Sequence, residues 1–322
     1  MPHDDVSGAE GDGAAHNPFT ERVTCPVCGQ REYDVLRGAT YDSGVSLPDL
    51  RRMYCASSDK GLLDQLVRCL GCGLVYLNPR VRRDIILDGY RSARDPLFIA
   101  QNDARILTFK ESLQGIMQRH GISPKSHPRV LDIGCAGGAF PKAAHDLGFH
   151  PVGLEPSDWM ASEARLRYGL DIRSGILEDA DFSGGQFDMV SLWDVIEHLA
   201  DPAAALRRIH VLLKENGLLI VNYPDHASVI RRLLGFRWPF YLSVHLVYFD
   251  PVTITRLLAA HGFAVREVRT HWQKLPLGYV LKRAAAYLPF LDSFARVMEH
   301  NPLGRYAVRY TMGQTLVVAT RN

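Results

Sequence analysis

From residue 129 onward, apolar and polar positions fall into two alternating kinds of block. Short, mostly apolar runs predict buried strands at Val130–Ile133, Pro151–Glu155, Phe187–Asp194 and Gly217–Val221, with a further short strand near Asp171–Arg173. Between them lie longer stretches with helical recurrence or helix-forming composition, at Ala139–Leu147, after Ser157, at Pro202–Leu213 and at Pro251–His261. The helix starts are marked: Ser157 and Asp201 have N-cap chemistry, Pro202 suits a first helical position, and Arg165 and Arg167 complement a helix end. Gly262–His271 alternates as a strand, Tyr279–Met298 reads as helix broken at Pro289, and Gly313–Thr320 reads as a last strand. Regular strand–helix alternation predicts an α/β fold with a mostly parallel sheet covered on both faces.

Ahead of this block the pattern changes. Leu74–Arg80 predicts a strand stopping at Pro79, and Arg82–Gly121 reads as mainly helical through Ile85, Ile86, Tyr90, Ile106, Phe109, Leu113 and Met117. Ser123–Pro128 is a linker. The division expected is a tail at 1–20, a small module at 21–80, a helical linker or lid at 81–128 and a main domain at 129–322, with insertions at 225–249 and 276–302.

Composition changes the picture in four ways. Apolar content of 47% and charged content of 22% over 322 residues suit a soluble protein with one sizeable domain and a smaller module. A net charge of +2 argues against a nucleic-acid interface. No run of 18 apolar residues predicts a membrane span, and residues 1–20, acidic and without an apolar segment, read as a disordered tail and not a signal peptide. Four of the six cysteines form two close pairs, which reads as metal ligation in a reducing, cytoplasmic setting.

Those pairs are Cys25-Pro-Val-Cys28-Gly and Cys69-Leu-Gly-Cys72-Gly. The glycine after each second cysteine allows backbone N–H groups to point at sulfur, and four thiolates match tetrahedral Zn²⁺. Such a site is closed and structural; a redox dithiol or free cysteines are the alternatives. The residues between the knuckles must fold as a loop or small sheet of their own, and Cys55 within them reads as a small buried hydrophobe.

The chain's organising motif is Val-Leu-Asp132-Ile-Gly134-Cys135-Ala136-Gly-Gly138, with Glu155 following 23 positions after Asp132. A strand, a glycine turn and a helix N-terminus make a site for the polar parts of a nucleotide-like ligand, and a carboxylate ending the next strand can accept from both ribose hydroxyls. A dinucleotide fingerprint would place glycines at 134, 136 and 139, but alanines occupy the last two. Asp132 would also repel a pyrophosphate while suiting a ligand with an ammonium and a sulfonium.

On these residues the chain resembles the class I S-adenosylmethionine-dependent methyltransferases. Their fold, a Rossmann-like seven-stranded sheet with an antiparallel last strand, would here follow a zinc-ribbon-like module. The resemblance implies that the cofactor lies across Asp132, Gly134, Cys135, Ala136 and Gly138, with its ribose on Glu155. Leu177, Glu178 and Asp179 would border the adenine, and the methionine end would point toward Trp193 and Asp194. The run Glu197-His198-Leu-Ala-Asp201-Pro202 also resembles the family's segment after the fourth strand. His198 could serve there as a general base, with a capping or packing histidine as the alternative. Tyr90 could belong to a lid or to the core.

Residues 225–249 mix aromatics with Arg231, Arg232 and Arg237 and end in His245-Leu-Val-Tyr248-Phe. They resemble an insertion in methyltransferases of cell-surface polysaccharide and glycolipid pathways. The segment could wall a substrate pocket, meet a phosphate, lie on a membrane surface beneath a lipid-linked acceptor, or simply pack as an amphipathic helix. His245 and Tyr248 are further catalytic candidates. The function expected is O- or C-methylation of a small-molecule, sugar or lipid-linked acceptor. A nucleotide-dependent oxidoreductase and a non-catalytic zinc-ribbon scaffold are the alternatives.

Overall fold

The structure, a computed structural model, describes residues 18–40, 46–53, 61–285 and 289–322. Cys55 and residues 1–17 of the expected tail lie outside the described residues. The chain opens with β1 (Thr20–Glu21), β2 (Tyr33–Arg37), α1 (Leu47–Met53), β3 (Leu66–Cys69), β4 (Val75–Leu77) and β5 (Arg80–Val81). β2, β3 and β4 form an antiparallel meander, and β1 pairs with β5 in a separate ribbon. Asn78 pins this region by bonding both the N–H and the carbonyl of Val23. Leu66, Val67, Tyr76 and Leu77 are fully buried, so both faces of β3 and β4 are covered, which is why such short strands hold.

Three helices lead to the main sheet: α2 (Arg83–Arg91), α3 (Pro96–Ile99) and α4 (Asn102–His120). Asp95 caps α3 by accepting from the Phe98 N–H, and α4 ends at Gly121, whose φ of +66° suits glycine. Next come β6 (Arg129–Ile133), α5 (Ala139–Asp146), β7 (His150–Glu155), α6 (Asp158–Tyr168), β8 (Asp171–Ser174) and β9 (Phe187–Trp193). They are followed by α7 (Pro202–Leu212), β10 (Leu213–Pro224), α8 (Val229–Leu234), β11 (Val247–Tyr248) and α9 (Pro251–Ala260). β12 (Phe263–Pro276), α10 (Leu277–Ala285), α11 (Asp292–His300) and β13 (Ala307–Arg321) complete the chain. Ser157, Asp201 and Asp250 cap their helices, as their side-chain chemistry favours.

The main sheet has seven strands in the order β12-β13-β10-β9-β6-β7-β8, and β13 alone runs antiparallel to its neighbours. This is the expected Rossmann-like sheet with an antiparallel last strand. Successive residues alternate between two cores. Val130, Met189, Ile220 and Val318 pack with Leu113, Ile116 and Phe140 from α4 and α5. Leu131, Val190, Leu219 and Val317 pack instead with Leu206, Ile209, Ile254 and Leu257 from α7 and α9. Each side chain sealed in this way contributes about 1.5–3 kcal/mol relative to an exposed one.

The second core does not stop at the main sheet: Cys25, Leu66 and Tyr76 of the N-terminal region belong to the same cluster. The link is β11, which follows β10 in the chain and pairs antiparallel with β4 through Val247↔Tyr76 and Tyr248↔Val75. The small sheet therefore has four strands, β11-β4-β3-β2. Among the described residues, no helix is long and apolar enough to cross a membrane.

Candidate active site and cysteine cluster

Strand order reverses between β6 and β9, and in open α/β sheets the crevice beyond the carboxyl ends at such a point is where ligands bind. A cavity of about 1940 Å³ occupies that place. Its walls come from the ends of β6, β7 and β9, from α2 to α4, from residues of the 225–249 segment and from α10.

Asp132 on β6, in register with Gly153 of parallel β7, and Glu155, two residues further along β7, both line the cavity. Ser191 Oγ donates to Asp132 Oδ1 at 2.7 Å. Glu155 accepts the Ala136 N–H on Oε2 at 2.8 Å and the Ser157 N–H on Oε1 at 2.9 Å. Burial pushes Asp132 up to about 8 and Glu155 up to about 7, with Glu155 adding to the Asp132 shift by repulsion. Among the described residues neither acid has a cationic partner, and the cavity is wide enough to admit one. This arrangement favours a positively charged ligand over a diphosphate.

The glycine turn between them has a packing reason. A Cβ on Gly134, whose φ is +69°, would stand 2.6 Å from Val195 Cγ2, and one on Gly137 would stand 2.1 Å from Ile99 Cδ1. Ala136 occupies the left-handed region at φ +45°. Cys135 is buried beside β7 with its backbone N–H on the Leu154 carbonyl, and Gly138 forms the N-cap of α5.

The other expected cofactor residues divide. Leu177 is buried against the cavity and Glu178 lines it while pairing with Arg83 at 2.6 Å. Asp179 lies outside the cavity on the surface, 4.0 Å from Arg91. Trp193 packs between Phe109, Phe140 and His271, and among the described residues its Nε1 has no hydrogen-bond partner. Asp194 lines the cavity at φ +53°, accepting from Asn222 Nδ2 at 2.7 Å and Gln314 Nε2 at 3.4 Å; burial raises it to about 6.

His198 and His245 meet across the cavity wall with ring centroids 4.6 Å apart, edge to face. His198 Nδ1 lies 2.8 Å from the Val244 carbonyl and 2.6 Å from the Tyr90 hydroxyl. His245 Nδ1 lies 2.7 Å from the Phe240 carbonyl. A carbonyl only accepts, so each Nδ1 carries the proton and each Nε2 keeps its lone pair. Burial lowers both imidazoles, His198 to about 4, so they are neutral near pH 7. Tyr90 lines the cavity from α2. Tyr248 is buried in β11 behind the wall, donating to the Leu242 carbonyl at 2.8 Å.

Several cavity residues carried no sequence signal. Arg105 of α4 stacks over the Phe98 ring at 3.8 Å, His271 of β12 sits against Trp193, and Gln314 of β13 reaches Asp194. Each sits mid-element in an ordinary helical or strand pattern, and only the sheet order brings β12 and β13 to the site.

Away from the cavity, the four knuckle cysteines converge. Cys25 and Cys72 are 3.5 Å apart, as are Cys28 and Cys69, and all four sulfurs lie within 4.8 Å of one another. Sulfurs about 2.3 Å from a shared Zn²⁺ would be roughly 3.8 Å apart, so the cluster fits the ion. The two turns are built alike: Gly29 and Gly73 have φ of +75° and +80°, and their N–H groups return to the Cys25 and Cys69 carbonyls. N–H groups of Val27 and Cys28 point at Cys25, and those of Gly71 and Cys72 at Cys69.

Comparison with known proteins agrees with this geometry. Residues 105–268, just over half of the chain, match a family described as a methyltransferase domain. Ubiquinone biosynthesis O-methyltransferases of Azorhizobium caulinodans and Ruegeria pomeroyi are 34% and 40% identical over 108 and 99 residues. Those matches cover 31% and 29% of this chain and 42% and 40% of the relatives, so the chain spans less than half the length of either. A solved S-adenosylmethionine-dependent methyltransferase of Archaeoglobus fulgidus is 17% identical with a TM-score of 0.44, covering 70% of this chain and all of that one. With its four-cysteine zinc-ribbon-like module ahead of the main sheet, the chain belongs to the class I S-adenosylmethionine-dependent methyltransferase-domain family.

Proposed function

We propose that this chain transfers a methyl group from S-adenosylmethionine to an oxygen of a small-molecule acceptor held in the same cavity. The observation that carries the reading is the pair of buried, cation-less carboxyls, Asp132 and Glu155, at the mouth of the switch point. When bound, the cofactor supplies an electrophilic methyl on a sulfonium. Glu155 would accept from the ribose hydroxyls, Leu177 and Glu178 would border the adenine, and Asp132 would favour the ligand's positive charge. Asp194 and Arg105 at the far end suit the ammonium and carboxylate of the methionine moiety.

The acceptor hydroxyl attacks in line, the C–S pair stays on sulfur, and the hydroxyl proton passes to water on the side lined by His198 and His245. Alignment and exclusion of water are the chain's main tasks in such a displacement. Arg37, Arg94 and Arg237 also line the cavity and support an acceptor with an anionic group. We take the four-cysteine cluster as a structural Zn²⁺ site with no open position. The relatives' names support O-methylation of a small molecule and leave the acceptor open.

Isothermal titration with S-adenosylmethionine tests the assignment. Asp132→Ala and Glu155→Ala should each weaken binding by about 10- to 100-fold, the loss of a charge-assisted contact, and together abolish it. Affinity unchanged in the double variant refutes the reading.

A further inference from the structure

We propose that Glu197, His198 and His245 form a binding site for a first-row divalent transition-metal cation, placed to hold the acceptor oxygen inside the cavity. The inference rests on the methyl-transfer reading for its purpose but on separate residues for its evidence. One donor atom from each of the three lies within 4.8 Å of the other two, and all three side chains line the cavity.

The Glu197 carboxylate is the telling group. It is 2% exposed, and neither Oε1 nor Oε2 has a hydrogen-bond partner among the described residues. An ionised carboxylate in that position is costly unless a cation reaches it. The nearest cation-capable group is His198 Nε2, 4.0 Å from Oε1, too far for a hydrogen bond.

The two histidines are oriented as metal ligands are. Ligating imidazoles commonly donate the ring N–H that faces away from the metal to a backbone carbonyl, which fixes ring and tautomer. Here the Nδ1–H groups of His198 and His245 are committed to the carbonyls of Val244 and Phe240. That leaves both Nε2 lone pairs uncommitted, that of His198 4.0 Å from the Glu197 carboxylate. Two imidazoles and one carboxylate suit Mn²⁺, Fe²⁺, Co²⁺ or Zn²⁺ and leave coordination positions open toward the cavity.

A cation there would act as a Lewis acid. The acceptor hydroxyl would bind it, lose its proton to water, and present a metal-bound alkoxide or phenoxide to the incoming methyl. This assigns the histidines as ligands and excludes them as direct proton acceptors. It also selects acceptors with an oxygen able to enter a metal's coordination sphere.

The test uses full-length protein with its cysteine cluster loaded with zinc and excess metal removed. Mn²⁺ competes poorly for thiolates, so its binding, followed by loss of the free-ion EPR signal, reports on the second site. One equivalent of Mn²⁺ should bind, and Glu197→Gln and His245→Gln should each weaken it at least about tenfold. S-adenosylmethionine affinity should stay within about threefold of wild type in both variants, which also shows that they fold. If neither Mn²⁺ nor Co²⁺ binds beyond the cluster's zinc, or if both variants bind as wild type does, the site is overturned while cofactor binding stands. Mn²⁺ binding in a protein that ignores S-adenosylmethionine would instead strike the methyl-transfer reading.

Discussion

At Ala136 the backbone turns left-handed, a conformation that costs an L-residue about 1 kcal/mol. What holds it there is Glu155, whose Oε2 takes the Ala136 N–H. The same carboxylate faces the cavity beside Asp132, and burial lifts both groups into the neutral range. Their folded values lie above their ordinary ones. The stability they contribute is thus full below about pH 4 and is lost as pH rises through 7 to 8. A cationic ligand reverses that loss by favouring the ionised forms. S-adenosylmethionine affinity should therefore tighten at least about tenfold between about pH 6 and about pH 7.5, with net proton release. Titrations in buffers of different ionisation enthalpy read both; a flat affinity with no proton release contradicts a pair of buried acids at the ligand. Asp132 and Glu155 were legible because one motif fixes their spacing and each ends a strand. The orphaned Glu197 carboxylate was not, because its company at His245 comes from a segment 48 positions later whose placement only the fold decides.

Among the elements, the strands and helices from β6 to β9 follow the hydrophobic periods closely, whereas β10 already starts at Leu213, ahead of the expected Gly217. β12 and β13 exceed them, running to Pro276 and starting at Ala307, since the two pair along almost their whole length with shifts near Val265 and His271. Pairing partners, not local pattern, set such ends. β11 is the extreme case: two residues whose partner strand lies some 170 positions earlier. It ties the cysteine module to the main sheet within one apolar cluster. Cys69→Ser should accordingly lower the melting temperature of the whole chain by about 10 °C or more in a single transition. Calorimetry that shows the main domain melting unchanged would separate the two units.

Over the whole molecule the net charge is only +2, and the cavity lining carries nine basic side chains, Arg37, Arg94 and Arg237 among them, against six acidic ones. Attraction between such a lining and an anionic acceptor weakens as the Debye length shrinks from about 10 Å at 0.1 M salt to about 3 Å at 1 M. Across a panel of candidate acceptors, KM for anionic ones should rise several-fold with added salt, while neutral analogues change little. Equal salt sensitivity for both kinds would remove the argument for a charged acceptor. The family match was readable from the motifs, whereas the cavity's breadth was not, since it arises where many chain segments far apart in sequence enclose one crevice.

The pairing of β11 with β4 has a practical consequence for anyone trimming this protein. A fragment beginning at residue 105, where the family match begins, would strip β11 of its partner and bare the apolar side of Val244, Leu246 and Phe249. An orphaned edge beside greasy side chains invites sticking to other copies. Such a minimal catalytic piece should precipitate, and the cysteine module is better regarded as the missing half of its wall than as a detachable accessory.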